Sequence, residues 1–378
     1  MSVKRPTFFI SSRSHSADLL ASELVLTICD QFPKTEIVGV VGNWTSKTRV
    51  MALAELDNMQ DAVKALGFDD GLKPLKESLT ANQPLFAVLV GYSAIHHDLA
   101  GYFKAHEIPV ILYEVTPQQG LQGIDMKEVP DRIKTALSIH KSGSTFLRAS
   151  KIPFQYIGTP FRDRISKVLV KISDFDFLND KPLVSLFPGG YGDVLDKMLP
   201  RFGEFAEGIL KTHDCQIVVS LREERDFDSL VAKMKSTLPL TTKVKFVLGM
   251  HLELLSLSRL AITGVGAITM EAAIAGVPTI AVFDKTDVAD EAGYHCLVNQ
   301  SLGQPLFLEF PNSQAMPGLL QSITQLIQDS PERKDLIQKL SEIQSEFQGS
   351  ATDNAADIII HEAGLRVKKT RNTPVPPA

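Results

Sequence analysis

The segment Thr263-Gly-Val-Gly-Ala-Ile-Thr-Met-Glu271 carries the strongest chemical signal in the chain. An apolar run leads into glycines, and a helical pattern follows. Glycines let a backbone approach a ligand closely, and the amides at a helix start suit a phosphate. Glu271 falls one turn into that helix, where a carboxylate can accept two ribose hydroxyls. Tight helix–sheet packing, with Glu271 complementing the helix dipole, accounts for the same pattern. A second junction of this kind, Pro188-Gly-Gly-Tyr-Gly192, can form a phosphate-holding turn or a plain βα turn. Two such loops in one domain favour a diphosphate site.

Polar loops in the first half offer acid–base chemistry. Ser11-Ser-Arg-Ser-His-Ser16 follows an apolar run and precedes a helical pattern. Ser14 or Ser16 can cap that helix, Arg13 can meet an anion, and His15 is of the residue type that serves as a general base. A solvated loop histidine is the alternative. Gly91-Tyr-Ser-Ala-Ile-His-His-Asp98 is a similar loop, with Ser93 as its N-cap. His96 and His97 are adjacent, so on a helix they point in different directions and make poor joint metal ligands. His213, His251 and His295 have no partner at metal spacing. Trp44, the only tryptophan, either lines a ligand crevice or packs as an ordinary indole. No GxSxG motif and no complete P-loop is present.

These loops need a scaffold that presents strand ends. Short apolar runs at Thr7–Ile10, Glu36–Val41, Leu85–Val90 and Val110–Tyr113 alternate with helical patterns such as Ala17–Gln31. A second series has strands at Leu183–Phe187, Gln216–Ser220, Val244–Leu248, Leu260–Thr263 and Thr279–Phe283. Helices are expected over Val194–Lys211 and Ile268–Ala275. Alternation of this kind predicts two parallel sheets built from βαβ units. Ligands bind such sheets beyond the carboxyl ends of the strands, where the loops above lie. The predicted domains are 1–165 and 166–350. Closing helices are expected over Met316–Gln328, Arg333–Phe347 and Ala351–Ala363, and the last, about 351–365, is assigned to the first domain. The stretch 366–378 holds four basic residues, no acidic ones and three prolines, and reads as a disordered tail. Its charge is of the kind that contacts an anionic membrane.

Composition bounds the function. At 378 residues the chain is long enough for two domains of ~150 residues each. Hydrophobic residues at 44% and charged residues at 22% exclude disordered, collagenous and coiled-coil classes. A net charge of −5 lacks the broad basic footprint of a nucleic-acid binder. Cys29, Cys215 and Cys296 show no CxxC spacing and read as buried reduced thiols. The N-terminal apolar run is too short for a signal peptide, and no run of about 18 apolar residues occurs. A cytoplasmic protein is expected.

Two Rossmann-like domains in tandem with a closing C-terminal helix match the layout of GT-B glycosyltransferases and of sugar-nucleotide epimerases. In detail the chain resembles the lipid-A-disaccharide synthase family over about residues 7 to 363. Arg13–Ser22 (RSHSADLLAS) stands where that family has GEASGDxxGA, and Ile37–Gly42 matches its second strand and turn. Ile108–Pro117 (IPVILYEVTP), Ile152–Pro160 (IPFQYIGTP) and Leu186–Gly190 (LFPGG) resemble its IxxIxYVSP, VPxxFVGHP and LLPGSR. Gly266–Pro278 resembles its GTATLEA…P and places Thr269 and Glu271 on matching positions. The departures are as informative. Ser14 replaces a glutamate and Ala17 a glycine, while Ser16 and Asp18 match. Val90–Ile95 lacks both carboxylates of IDAPDF, Thr159 replaces a histidine, and Tyr191 replaces an arginine.

The resemblance implies an α/β GT-B fold, with two parallel sheets facing a central cleft. It also implies an inverting, UDP-sugar-dependent transferase that moves an acylated glucosamine onto an acyl-sugar phosphate in lipid A biosynthesis. On it, Gly189, Gly190, Tyr191, Gly266, Thr269 and Glu271 hold the nucleotide sugar, with Arg222 or Lys285 able to offset the lost arginine. Arg13, Ser16, Asp18, Tyr92 and Ser93 meet the acceptor. His15 is the first choice of base and His96 the second, because the family's aspartates are missing. No metal or cofactor is expected, since helix N-termini can carry the diphosphate charge. A homodimer and peripheral contact with the inner membrane are further expectations. A GT-B member with another donor or acceptor, an epimerase-like enzyme and a non-catalytic relative are the alternatives.

Overall fold

A computed structural model of the chain describes residues 7–114, 124, 127–140, 147, 151–189, 193–221, 227–235, 243–284, 293–311, 316–345, 347 and 349–362. The chain divides into two compact units. The first is Met1–Pro160 with Gln348–Ala378, and the second is Phe161–Phe347. The sequence boundaries of 165/166 and 350/351 compare with these crossings at 160/161 and 347/348.

The first unit runs β1 (Thr7–Ser12), α1 (His15–Gln31), β2 (Glu36–Val41), β3 (Val50–Glu55), α2 (Leu56–Ala81), β4 (Ala87–Val90), α3 (Ala94–Ala105), β5 (Val110–Tyr113), α4 (Val129–Arg132), β6 (Thr135–Ser138) and β7 (Phe154–Tyr156). Its sheet has the order β3-β2-β1-β4-β5-β6-β7, and every pairing is parallel. The strand order reverses between β1 and β4, which opens a crevice at their carboxyl ends. Phe8, Phe9 and Ile10 in β1 are fully buried, as a central parallel strand covered on both faces requires. Phe8 stacks on Phe86 with ring centroids 5.0 Å apart. Burying one such ring contributes roughly 2–3 kcal/mol. Ser14 caps α1 by accepting from the Ala17 amide at 3.4 Å.

The strand β3 and the helix α2 carry no clear sequence signal. β3 has no fully buried residue, and α2 is broken at Gly67, whose φ of 79° leaves the helical region. Pro74 falls inside the same helix.

The second unit begins within α5 (Pro160–Ser166), whose first residue closes the first unit. It continues β8 (Leu183–Phe187), α6 (Asp193–Thr212), β9 (Gln216–Leu221), α7 (Phe227–Lys235), β10 (Val244–Leu248), α8 (His251–Leu257), β11 (Leu260–Thr263), α9 (Ile268–Ala275), β12 (Thr279–Phe283), α10 (Leu297–Leu302), β13 (Leu308–Pro311), α11 (Met316–Ile327) and α12 (Pro331–Gln344). Its parallel sheet has the order β10-β9-β8-β11-β12-β13, with the reversal between β8 and β11. In α9 every residue from Ile268 to Ile274 is buried. A helix without a wet face is core, so any polar side chain on it must find a protein partner or a ligand.

The last helix, α13 (Ala351–Glu362), returns to the first unit and packs on α1. Gln31 Nε2 donates to Asp353 Oδ1 at 2.8 Å, and Asn354 Nδ2 donates to the Ile157 carbonyl at 2.9 Å. Cys29, Cys215 and Cys296 are free thiols. Burial pushes the Cys215 thiol up to about 11. Among the described residues, no helix is long and apolar enough to cross a membrane. The 366–378 tail lies outside the described residues.

Candidate functional site

In the second unit the carboxyl ends of β8 and β11 lie side by side, so the two glycine loops meet at the strand-order reversal. The Gly264 amide donates to the Phe187 carbonyl at 3.2 Å and ties the loops together. Gly189 has φ 65°, a left-handed geometry that suits glycine. Among the described residues, nothing lies within 4 Å of where a Cβ at Gly266 would stand. A ligand approaching the start of α9 therefore has room there. Gly190, Tyr191, Arg222 and Lys285 lie outside the described residues.

Thr269 does not face that space. It has no exposed surface; its hydroxyl donates to the Gly266 carbonyl at 2.8 Å and accepts the Val298 amide at 3.3 Å. Its side chain braces the glycine loop against the first turn of α10, which corrects the sequence expectation of a direct ligand contact.

Glu271 is also without exposed surface, and it is engaged. Its Oε1 accepts from Arg164 Nη1 at 2.7 Å, and Oε2 lies 3.5 Å from His251 Nε2. Arg164 comes from α5, with its guanidinium 4.9 Å from the centre of the Phe161 ring. His251 opens α8 after Gly249 and Met250, both in the left-handed region at φ 68° and 55°. Neither Arg164 nor His251 was expected from sequence. The only signal was a strand, a glycine and a histidine at Val244–His251. The Arg164 contact spans 107 positions.

In the first unit the expected residues separate into rim and interior. Asp18 is fully buried. Its Oδ1 accepts the Thr45 hydroxyl at 2.5 Å, the Ser12 hydroxyl at 3.2 Å and the Gly42 amide at 3.3 Å. Its Oδ2 accepts the Trp44 amide at 2.7 Å and the Thr45 amide at 3.3 Å. A Cβ at Gly42 would come within 2.5 Å of the carboxylate, so only glycine fits against it. Asp18 therefore folds the loop after β2 and does not meet an acceptor as the sequence suggested. Trp44, held by this loop, is 38% exposed.

His96 is likewise interior. Its Nδ1 lies 2.8 Å from the Gly91 carbonyl and its Nε2 lies 3.1 Å from Ser11 Oγ. A carbonyl only accepts, so Nδ1 carries the proton and Nε2 accepts the serine hydroxyl. Burial pushes His96 down to about 4, and the imidazole stays neutral at pH 7. With both nitrogens engaged inside the core, His96 is not a base. Tyr92 is 2% exposed with its hydroxyl 3.0 Å from His97 Nδ1, and Ser93 accepts the His96 amide at 3.3 Å as the cap of α3. Both help to fold the 91–98 loop.

Three expected residues remain at the rim. Arg13 crosses Gly91, whose φ of 69° and missing Cβ make room for it. Its Nε lies 4.0 Å from Glu114 Oε2, and Glu114 is itself left-handed at φ 60°. His15 Nε2 lies 3.2 Å from Asp57 Oδ1, and the histidine side chain is 31% exposed. Ser16 is exposed, with its hydroxyl 3.1 Å from that of Ser14. This rim can bind an anion at Arg13 and accept a proton at His15.

Comparison with known proteins adds to this geometry. A family model described as lipid-A-disaccharide synthetase matches residues 8–353. The lipid-A-disaccharide synthase of Solibacter usitatus is 23% identical over 365 residues, covering 91% of this chain and 93% of that protein. The structure of UDP-GlcNAc 2-epimerase from Neisseria meningitidis bound to UDP-GlcNAc aligns with a TM-score of 0.58 at 14% identity, over 95% of this chain and 99% of that one. A glycosyltransferase from Rickettsia africae aligns with a TM-score of 0.57 at 12% identity, over 97% and 100% of the two chains. At these identities the structural likeness speaks for the fold, which is GT-B.

Proposed function

The chain belongs to the lipid-A-disaccharide synthetase family, and we propose that it transfers a sugar from a UDP-linked donor to an acyl-sugar phosphate with inversion. The observation that carries this reading is the meeting of two strand–glycine–helix loops at the β8/β11 reversal, with Glu271 one turn into α9. The diphosphate would lie against Gly189, Gly190 and Gly266, where amides and the α9 N-terminus stabilise the charge of the leaving group. The ribose hydroxyls would reach Glu271.

On the acceptor side, Arg13 suits the phosphate of the acyl sugar and Ser16 a neighbouring hydroxyl. His15 takes the proton as the acceptor oxygen attacks C1 of the donor sugar. The bond from C1 to the diphosphate oxygen breaks, and UDP leaves with the electron pair. The imidazolium that forms is balanced by Asp57, which also fixes the orientation of the ring.

The test is calorimetric binding of UDP against UMP, ADP and GDP to the full chain, followed by product analysis with a panel of UDP-sugars. Selective binding of UDP supports the transferase. Binding of none of the four would mean that the fold has been kept without a donor site.

A further inference from the structure

The segment that leads into α10 is tied to the glycine loop before α9. The Leu297 amide donates to the Val265 carbonyl at 2.9 Å, and the Val298 amide donates to the Thr269 hydroxyl at 3.3 Å. Two residues of chain span at most about 7 Å, so His295 begins close beside Gly264, Val265 and Gly266. Its stacking partner stands at the same level of the sheet. Ala281 pairs with Thr263, and Phe283 lies two residues further along β12, level with Val265. That is the carboxyl end of the strands, where ligands bind such sheets.

His295 is fixed there at its backbone and at one ring face. Its amide donates to Glu309 Oε2 at 2.8 Å, and its carbonyl accepts from Gln300 Nε2 at 3.3 Å. Its ring packs on Phe283 with centroids 4.2 Å apart. Glu309 also takes the Cys296 amide at 3.0 Å and Asn299 Nδ2 at 2.7 Å, which anchors the whole segment. The histidine is half-buried, and among the described residues neither ring nitrogen has a partner. An imidazole carries at least one N–H in either protonation state. The segment therefore holds a hydrogen-bond donor beside the glycine loop and leaves it unused.

A diphosphate at Gly266 is short of such donors, because the chain has tyrosine at 191 where its family has arginine. We propose that His295 is a binding residue for the donor, giving its ring N–H to a diphosphate oxygen. This rests on the donor site proposed above. Negative charge on the diphosphate grows as its bond to C1 breaks, so the contact strengthens toward the transition state.

The experiment is calorimetric binding of UDP and of uridine to wild type, His295→Gln and His295→Leu in the full chain, each checked for folding by a thermal melt. Leucine keeps the packing on Phe283 and has no donor, so UDP affinity falls on the order of tenfold while uridine stays within about twofold. Glutamine keeps an N–H and holds UDP within about threefold of wild type. The His295 ring proton signals, assigned as those missing from His295→Gln, move when UDP is added and stay in place with uridine. UDP affinity unchanged in both variants, or ring signals indifferent to UDP, overturns the proposal and leaves the donor site standing. Equal losses of UDP and uridine make His295 a packing residue and overturn it as well. If His295→Leu does not fold, the ring signals decide. If wild type binds neither ligand, the donor site and the His295 contact fall together.

Discussion

Replacing Asp18 with asparagine should loosen the loop after β2 without touching any ligand. The carboxylate holds five donors, of which the Ser12 and Thr45 hydroxyls can rotate to other acceptors. The amides of Trp44 and Thr45 cannot, while the Gly42 amide also donates to Thr45 Oγ1 at 2.8 Å. Hydrogen bonds to a charged group contribute about 1.5–3 kcal/mol each, and neutral ones about 1 kcal/mol. Asparagine keeps one acceptor oxygen, loses the charge and turns an NH2 group toward an amide donor. A loss of about 2–3 kcal/mol follows, and Asp18→Ala should cost about 3–5 kcal/mol. Trp44 is the only tryptophan, and its own amide is one of the donors. Urea unfolding followed by tryptophan fluorescence therefore reads global stability and the state of this loop together. An Asp18→Asn protein with an unchanged midpoint and an unchanged native emission spectrum would refute the argument. If that protein also lost transferase activity, Asp18 would be a ligand contact after all.

Two further outcomes follow from the first unit. His15→Ala should lower kcat on the order of 10²- to 10⁴-fold while leaving UDP affinity within about threefold; a fully active variant removes His15 as base. His96 is buried neutral, with its folded value pushed down to about 4 from 6.5. The unfolded chain binds the extra proton first, so stability is complete above pH 6.5 and declines as pH falls toward 4. The full contribution is about 3 kcal/mol. Buried His140 is also lowered and adds a decline of the same sign. Denaturant midpoints of wild type and His96→Gln, measured between pH 7 and pH 4, should converge as pH falls, and parallel curves would contradict the assignment.

Much of the scaffold was legible because its central strands are continuous apolar runs. β1, β8, β11 and β12 need no tertiary information to be read as strands buried on both faces. β3 was not legible, because an edge strand with exposed faces loses the apolar signal. α2 was obscured by Gly67 and Pro74. In the site, glycines before helices were readable from spacing alone. The polar residues beside them were not separable into ligand contacts and internal braces. Asp18, His96 and Thr269 look like rim residues in sequence, and only Thr45, Ser11 and Val298, brought in from elsewhere, show them to be occupied. The Arg164 contact to Glu271 is invisible for the same reason: no local pattern links two residues on separate helices.

The return of α13 to α1 sets an order of completion during synthesis. The second unit is one uninterrupted stretch, Phe161–Phe347, and has all its strands once that stretch has left the ribosome. The first unit is made earlier but finished later. The helix that covers α1, with Ala351, Ala355, Ala356, Ile359 and Ile360 buried, emerges only after the whole of the second unit. Most multidomain chains complete their N-terminal domain first. Here the nascent first unit must wait with the apolar surface beneath α13 uncovered while nearly two hundred residues are added. The helix that closes the fold also fixes the interval during which that apolar surface stays exposed.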